Sequence, residues 1–351
     1  MTDSQELVLS AIRNRVGHII LNRPAAYNAT NLDMVCTVLE QLRAWETEDE
    51  VLAVVLRATG DKAFCAGGDI RELYDNHLAG SPRAMEFFNQ EYKLDQLIYD
   101  YPKPLLALGE GLVLGGGMGL FQGAAYRVIT ENARLGMPET GIGYFPDVGG
   151  SYFLPRLSGE TGTYLSVSGS MVNAADALYT GLADWMVPAE RIAELDQCLD
   201  RQEWDTSADA VIRSILERLS EPAPANGVLA AVQPAIDQHF AFDGVPQIIA
   251  SLETEQRPEY SEWAQQTLAT LASRSPMAKC MALAMQRRGR KLSLQDCFAM
   301  ELQAIRYWFD RGDFIEGVRA AIVDKDKNPQ WKYTSVDQVP PAEIEDMLAG
   351  F

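Results

Sequence analysis

The chain has 351 residues, 47% apolar and 23% charged, enough to bury a sizeable core as one large domain or as a core with an appendage. A formal net charge of −19 repels phosphate backbones and excludes non-specific nucleic-acid binding, while leaving room for one local basic pocket. No apolar run approaches the ~18 residues of a membrane span, and Met1–Glu6 has neither the basic nor the apolar region of a secretory leader. Five scattered cysteines without CxxC spacing and three separated histidines give no disulfide framework and no metal site. The expectation is a cytoplasmic protein with reduced thiols.

In chain order, Leu7–Ile12 and Val16–Leu21 read as two strands of a hairpin around the polar Arg13-Asn14-Arg15. Asn31 is placed to cap a helix reaching about Glu46, with Met34, Val35, Val38, Leu39, Leu42 and Trp45 on one face. Leu52–Leu56 and Leu105–Leu108 are unbroken apolar runs, as expected of strands covered on both faces. Between them lie a loop over 59–70 and helical stretches near Arg71–Asn76 and Met85–Asp100. Gly115-Gly116-Gly117 opens a helix of small residues, and Tyr126–Thr130 is a further strand. Strands alternating with helices predict an α/β core with parallel strands. Helical sequence follows Pro155 through Leu182, and Asp184–Val187 is a short strand. From about Leu195 the chain turns acidic and helical, with a Pro/Ala joint at Glu221–Asn226 and an irregular tail from Asn328. The predicted division is a core over 1–194 and a mainly helical region over 195–351.

Three glycine-rich places punctuate the core: Phe64–Asp69, Gly111–Gly119 and Met137–Gly150. The last is too rich in Pro and Gly for a regular helix and carries two acids, Glu139 and Asp147. Backbone N–H groups at such turns can converge on a developing oxyanion. Each cluster alone more often serves only a tight turn or close packing. Asp147 alone is as readily a turn residue, and Glu91 alone more readily a solvated or paired surface acid. Asp69 suits a helix cap, Cys65 lacks an activating histidine in any motif, and Asp313, Asp324 and Asp326 suit an ion-paired tail better than a metal.

In order and spacing, Asn22-Arg23-Pro24, Ala63–Ile70, Leu114–Gly117 and Met137-Pro138-Glu139 resemble the crotonase (enoyl-CoA hydratase/isomerase) superfamily. The resemblance implies an α/β fold built as a crotonase-like spiral of ββα units with a helical C-terminal region. It implies a short-chain acyl-CoA substrate, whose coenzyme A is part of the substrate, with no separate cofactor. It places the oxyanion-hole donors on Gly68 and Gly116, and a catalytic carboxylate on Glu139. The family's other hydratase acid falls on Gly119, and Asp147 stands where hydratases usually have glycine. That exchange, with Phe145–Arg156, Ser275-Pro276, Asp313–Ala320 and Asp324–Trp331, resembles the family's thioester hydrolases of valine breakdown, which act on 3-hydroxyisobutyryl-CoA. Glu139 is then nucleophile or general base, and Asp147 orients the substrate hydroxyl or water. Glu91 resembles a substrate contact and Arg71 a CoA-phosphate contact, while the other basic position of the family is Ala25 here. A homo-oligomer, trimer or hexamer, follows by analogy. Hydration or isomerisation of an enoyl-CoA, and non-catalytic CoA binding, are the competing functions.

Overall fold

A six-stranded sheet organises the first of two compact units in the computed structural model, which describes residues 6–351. The leader-free N-terminus expected from the sequence lies almost wholly outside the described residues. This unit comprises the chain up to Asp69, Glu86–Leu135 and Val172–Gly227. Strands β1 (Val8–Arg13) and β2 (Val16–Leu21) pair antiparallel from Val8↔Leu21 to Arg13↔Val16. Their turn residues Asn14 and Arg15 have φ of 43° and 66°, the left-handed pair that matches the twist of a two-residue hairpin.

Beyond β2 the neighbours are parallel. Strand β3 (Ala53–Ala58) pairs with β2, β5 (Leu105–Gly109) with β3, β7 (Tyr126–Ile129) with β5, and β10 (Trp185–Met186) with β7. The crossovers from β2 to β7 carry α1 (Leu32–Glu46), then α2 (Ile70–Leu78) and α3 (Arg83–Tyr99), then α4 (Gly116–Gln122). The predicted apolar face of α1 is buried throughout, and its Asn31 cap accepts from Met34 N at 3.0 Å. A four-stranded sheet runs in the order β4 (Ala63–Cys65), β6 (Leu112–Leu114), β8 (Arg134–Gly136), β9 (Met171–Asn173). None of these strands is read from sequence: β4 lies in the stretch read as a loop and β9 in one read as helical, because three residues are too few to show a period of two.

The second unit comprises Ile70–Met85, Gly136–Met171 and Val228–Phe351. Helices dominate it, as the sequence from 195 onward suggests, among them Thr161–Ser168, Pro276–Gly289 and Leu294–Arg311. Both units are thus assembled from separated segments. A boundary at 194/195 falls inside the helix Ile192–Arg201, whose Ile192, Leu195 and Leu199 pack in one cluster with Val55, Leu106 and Val128 of the first unit. Apolar periodicity ties residues just past 194 to the sheet before them. Among the described residues no helix is long and apolar enough to cross a membrane.

Removing the α1 cap by Asn31→Ala is expected to cost about 1 kcal/mol. Urea denaturation reads this as a lower midpoint at unchanged slope.

Candidate active site

In the first unit two glycine loops meet a buried acid. Gly68 bridges Thr30 in parallel fashion, with Thr30 N bonded to Gly67 O and Asp69 N to Thr30 O. In such a bridge the central residue turns its own N–H to the opposite side. Close to Gly68 lies Gly116, the first residue of α4, whose N–H has no acceptor within its own helix. A Cβ at residue 116 would lie 3.4 Å from Gly68 N and 2.6 Å from Glu91 Oε1. Only glycine therefore fits, and the two expected oxyanion donors and Glu91 converge.

Glu91 is 3% exposed on α3, so the reading of this acid as a solvated surface residue does not hold. One turn on, Asp95 is also buried; its spacing from Glu91 on one helix face was the available signal. Cys65 is fully buried, and desolvation pushes its thiol up to about 12, far from the thiolate a nucleophile needs. Asp69 is held by Arg23 at 2.7 Å.

The second unit carries the acid pair. Glu139 begins the short helix Glu139–Ile142 and is 7% exposed; Asp147 is 5% exposed. Glu139 Oε2 is buried without a hydrogen-bond partner among the described residues. Tyr144 donates its hydroxyl to Asp147 Oδ2 at 3.4 Å. Both acids are pushed above the ordinary carboxylate range. For Glu139 the cause is burial first and the charge of Asp147 second. For Asp147, raised to about 8, it is burial first and the charge of Glu301 second.

Helices late in the chain hold this loop. Ser275 N donates to Thr140 O at 3.1 Å and Trp308 Nε1 to Gly143 O at 2.9 Å. Tyr144 stacks on Phe145 at 4.5 Å and tilts against Phe314, and Phe145 meets Trp308 edge-on. Glu301, which sequence reasoning missed, accepts from Gly149 N and Ser151 N. Its signal was position: its helix neighbours Cys297, Phe298, Ala304 and Ile305 are all apolar and buried.

The remaining expected residues lie elsewhere in their units. Arg71 is half exposed and paired with Asp75 at 2.9 Å. Asp324 and Asp326 both pair with Arg319, while Asp313 accepts from Ser275 and from Lys332 N. Among the described residues no cluster of His, Cys, Asp or Glu is placed to hold a metal ion.

Comparisons with known proteins bear on the family and the fold. The family model described as Enoyl-CoA hydratase/isomerase matches residues 16–348. A Gallus gallus protein named "3-hydroxyisobutyryl-CoA hydrolase, mitochondrial" is 36% identical over 98% of this chain and 89% of its own length. A Neurospora crassa protein named "Small ribosomal subunit protein mS47" is 34% identical over 97% of this chain and 70% of its own. Among solved structures, a carnitinyl-CoA dehydratase from Mycobacterium thermoresistibile has 35% identity and a TM-score of 0.90 over 99% of this chain and 97% of its own. With those neighbours the α/β spiral and helical C-terminal region expected from sequence are established.

The raised acids have a consequence for stability. Between about pH 4 and 8 Asp147 keeps its proton when folded and loses it when unfolded. The folded state then binds more protons, so this group's contribution falls as pH rises through that window. Asp147→Asn keeps the shape and removes the titration. Its Tm is expected to exceed that of the parent protein by roughly 2–4 °C at pH 8, a shift of ~1 kcal/mol, and by less toward pH 5. Calorimetry at the two pH values checks the sign.

Proposed function

The chain belongs to the enoyl-CoA hydratase/isomerase family, and from that premise we propose that it hydrolyses a short 3-hydroxyacyl-CoA thioester. The proposed substrate is 3-hydroxyisobutyryl-CoA, giving 3-hydroxyisobutyrate and CoA, a step of valine breakdown. The observation that carries this reading is the pair of buried acids Glu139 and Asp147 on one clamped loop, with glycine at 119. Hydration of a double bond asks for a base toward water and an acid toward the α-carbon. Gly119 supplies no proton donor, and that argues against the hydratase reading. The name of the Gallus gallus relative supports the hydrolytic one.

In the proposed reaction the N–H groups of Gly68 and Gly116 receive the oxygen of the thioester carbonyl as it becomes an oxyanion. Glu139 acts on the carbonyl carbon in one of two ways. As base it takes a proton from water while the water oxygen bonds to carbon. As nucleophile it bonds to carbon itself, forming a mixed anhydride that water then opens. Either way the C–S bond breaks, the sulfur leaves as thiolate and is protonated, and the acyl group ends as a carboxylic acid. The desolvation that raises Glu139 makes its ionised form a stronger base than a solvated carboxylate. Asp147 in its protonated form donates to the substrate 3-hydroxyl. Glu91 is assigned a substrate contact, and Arg71 a CoA phosphate.

Thiol release from a panel of short 3-hydroxyacyl-CoAs tests this, and no CoA release above background from any of them would sink it. Glu139→Gln is expected to lower kcat roughly 10²–10⁴-fold with KM little changed. Because the base must be ionised and its pKa is raised, kcat/KM of the unaltered protein is expected to climb with pH well beyond the ordinary carboxylate range. Asp147→Gly restores the usual hydratase residue and is expected to lose hydrolysis without gaining hydration of crotonyl-CoA. Appreciable hydration in that variant contradicts the role given to Gly119.

A further inference from the structure

Glu301 sits on the helix Leu294–Arg311 with 0% exposure. Its inward neighbours Cys297, Phe298, Met300, Ala304, Ile305 and Trp308 are all buried as well. A carboxylate at the centre of an apolar helix face is costly unless hydrogen bonds and a function retain it. The bonds are present. Oε2 accepts from Gly149 N at 2.8 Å; Oε1 accepts from Ser151 N at 2.9 Å and from Ser151 Oγ at 2.5 Å.

All of these donors lie within four residues after Asp147, on a turn with a strained backbone. Val148 has φ of +46°, a left-handed conformation that a β-branched side chain adopts only under constraint. Gly149 follows at φ +87°. Gly150 N closes the turn on Asp147 O at 2.6 Å. Gln286 Nε2 donates to Gly150 O at 3.2 Å and the following helix turn bonds Gly149 O, while the N–H groups of Gly149 and Ser151 are both taken by Glu301.

We propose that Glu301 is a positioning residue for the acid pair: its carboxylate fixes the 148–151 turn and so aims the Asp147 side chain at the substrate's 3-hydroxyl. This rests on the hydrolytic reading above for its consequence in turnover, though not for its effect on Asp147. The groups facing Asp147 are Glu139, Tyr144 and Glu301; Cys297, one turn away, faces Glu301. Of these, Glu301 both bonds the turn and bears on the charge of Asp147, second only to burial in holding that acid protonated.

Two full-length variants separate positioning from packing. Glu301→Gln keeps the volume and removes the charge; Ser151→Ala removes one donor and leaves the charge. Hydrogen exchange at residues 149 and 151 reads the turn, and carbon-13 NMR of labelled aspartate reads the titration of Asp147. Selectivity is read as kcat and KM on a 3-hydroxyacyl-CoA against the same thioester without its hydroxyl. Glu301→Gln is expected to lose protection at both amides and to bring the Asp147 midpoint down. It is expected to lose about 10- to 100-fold in kcat/KM on the hydroxylated substrate, with little change on the other.

Ser151→Ala is expected to show partial loss of protection and selectivity with the Asp147 midpoint unmoved. A folded Glu301→Gln with unchanged midpoint and unchanged selectivity overturns the proposal. Should that variant not fold, unchanged exchange and selectivity in Ser151→Ala overturn it instead. If the unaltered protein releases no thiol, the hydrolytic reading fails, and exchange with the Asp147 titration still decides whether Glu301 positions that acid.

Discussion

Glu139 and Asp147 are two carboxyl groups taken out of water on one loop, the first made harder to ionise by the charge of the second and the second by that of Glu301. Left to itself such a loop would open, because solvation of either acid is worth more than any single contact it makes when buried. What keeps it closed is a set of anchors on its backbone. Ser275 holds Thr140, Trp308 holds Gly143, and Glu301 holds Gly149 and Ser151. The aromatic stack of Tyr144, Phe145, Phe314 and Trp308 adds apolar burial at the same place. The helices late in the chain are in this sense part of the site, since the loop has few internal bonds of its own.

The first unit also sets a buried helix acid beside a glycine turn. There Glu91 lies so close to Gly116 that a Cβ would sit 2.6 Å from its Oε1. In the second unit the carboxylate of Glu301 lies against the Gly149–Ser151 turn. In both cases a helix-borne acid is buried beneath a glycine turn. A carboxylate suits the task because it accepts several N–H bonds at once, and it cannot satisfy itself by turning into the core. Its burial also makes the turn unforgiving, because losing a donor leaves an uncompensated charge.

Much of this was legible in the sequence, and for identifiable reasons. The long strands and α1 announced themselves through apolar runs and a helical stripe ending in Trp45, and Asn31 capped where a cap was needed. The glycine turns and the acids Glu139 and Asp147 stood out because Pro and Gly leave few other conformations. Glu91 stood out only by resemblance and Glu301 not at all, since a helix shows an acid the same way whether solvent or another element covers it. Only the apolar neighbours of Glu301 hinted at its depth. The division of the chain was obscured likewise: residues 192–199 read as the start of something new, yet their apolar face belongs to the sheet of the first unit.

The choice between hydration and hydrolysis turns on where protons are held. An acid at 119 would stand on α4, a regular helix, with its geometry set by the helix itself. Glycine there removes that acid, and under the proposed hydrolysis proton handling falls to a loop whose shape depends on distant anchors. Asp147 then differs from an ordinary turn aspartate in being held protonated by burial and by the charge of Glu301. A protonated carboxyl donates a hydrogen bond, and a donor is what a substrate hydroxyl oxygen or an attacking water can use. The same burial that lowers stability at alkaline pH supplies this donor at neutral pH, so under the proposed hydrolysis the instability and the specificity share one cause.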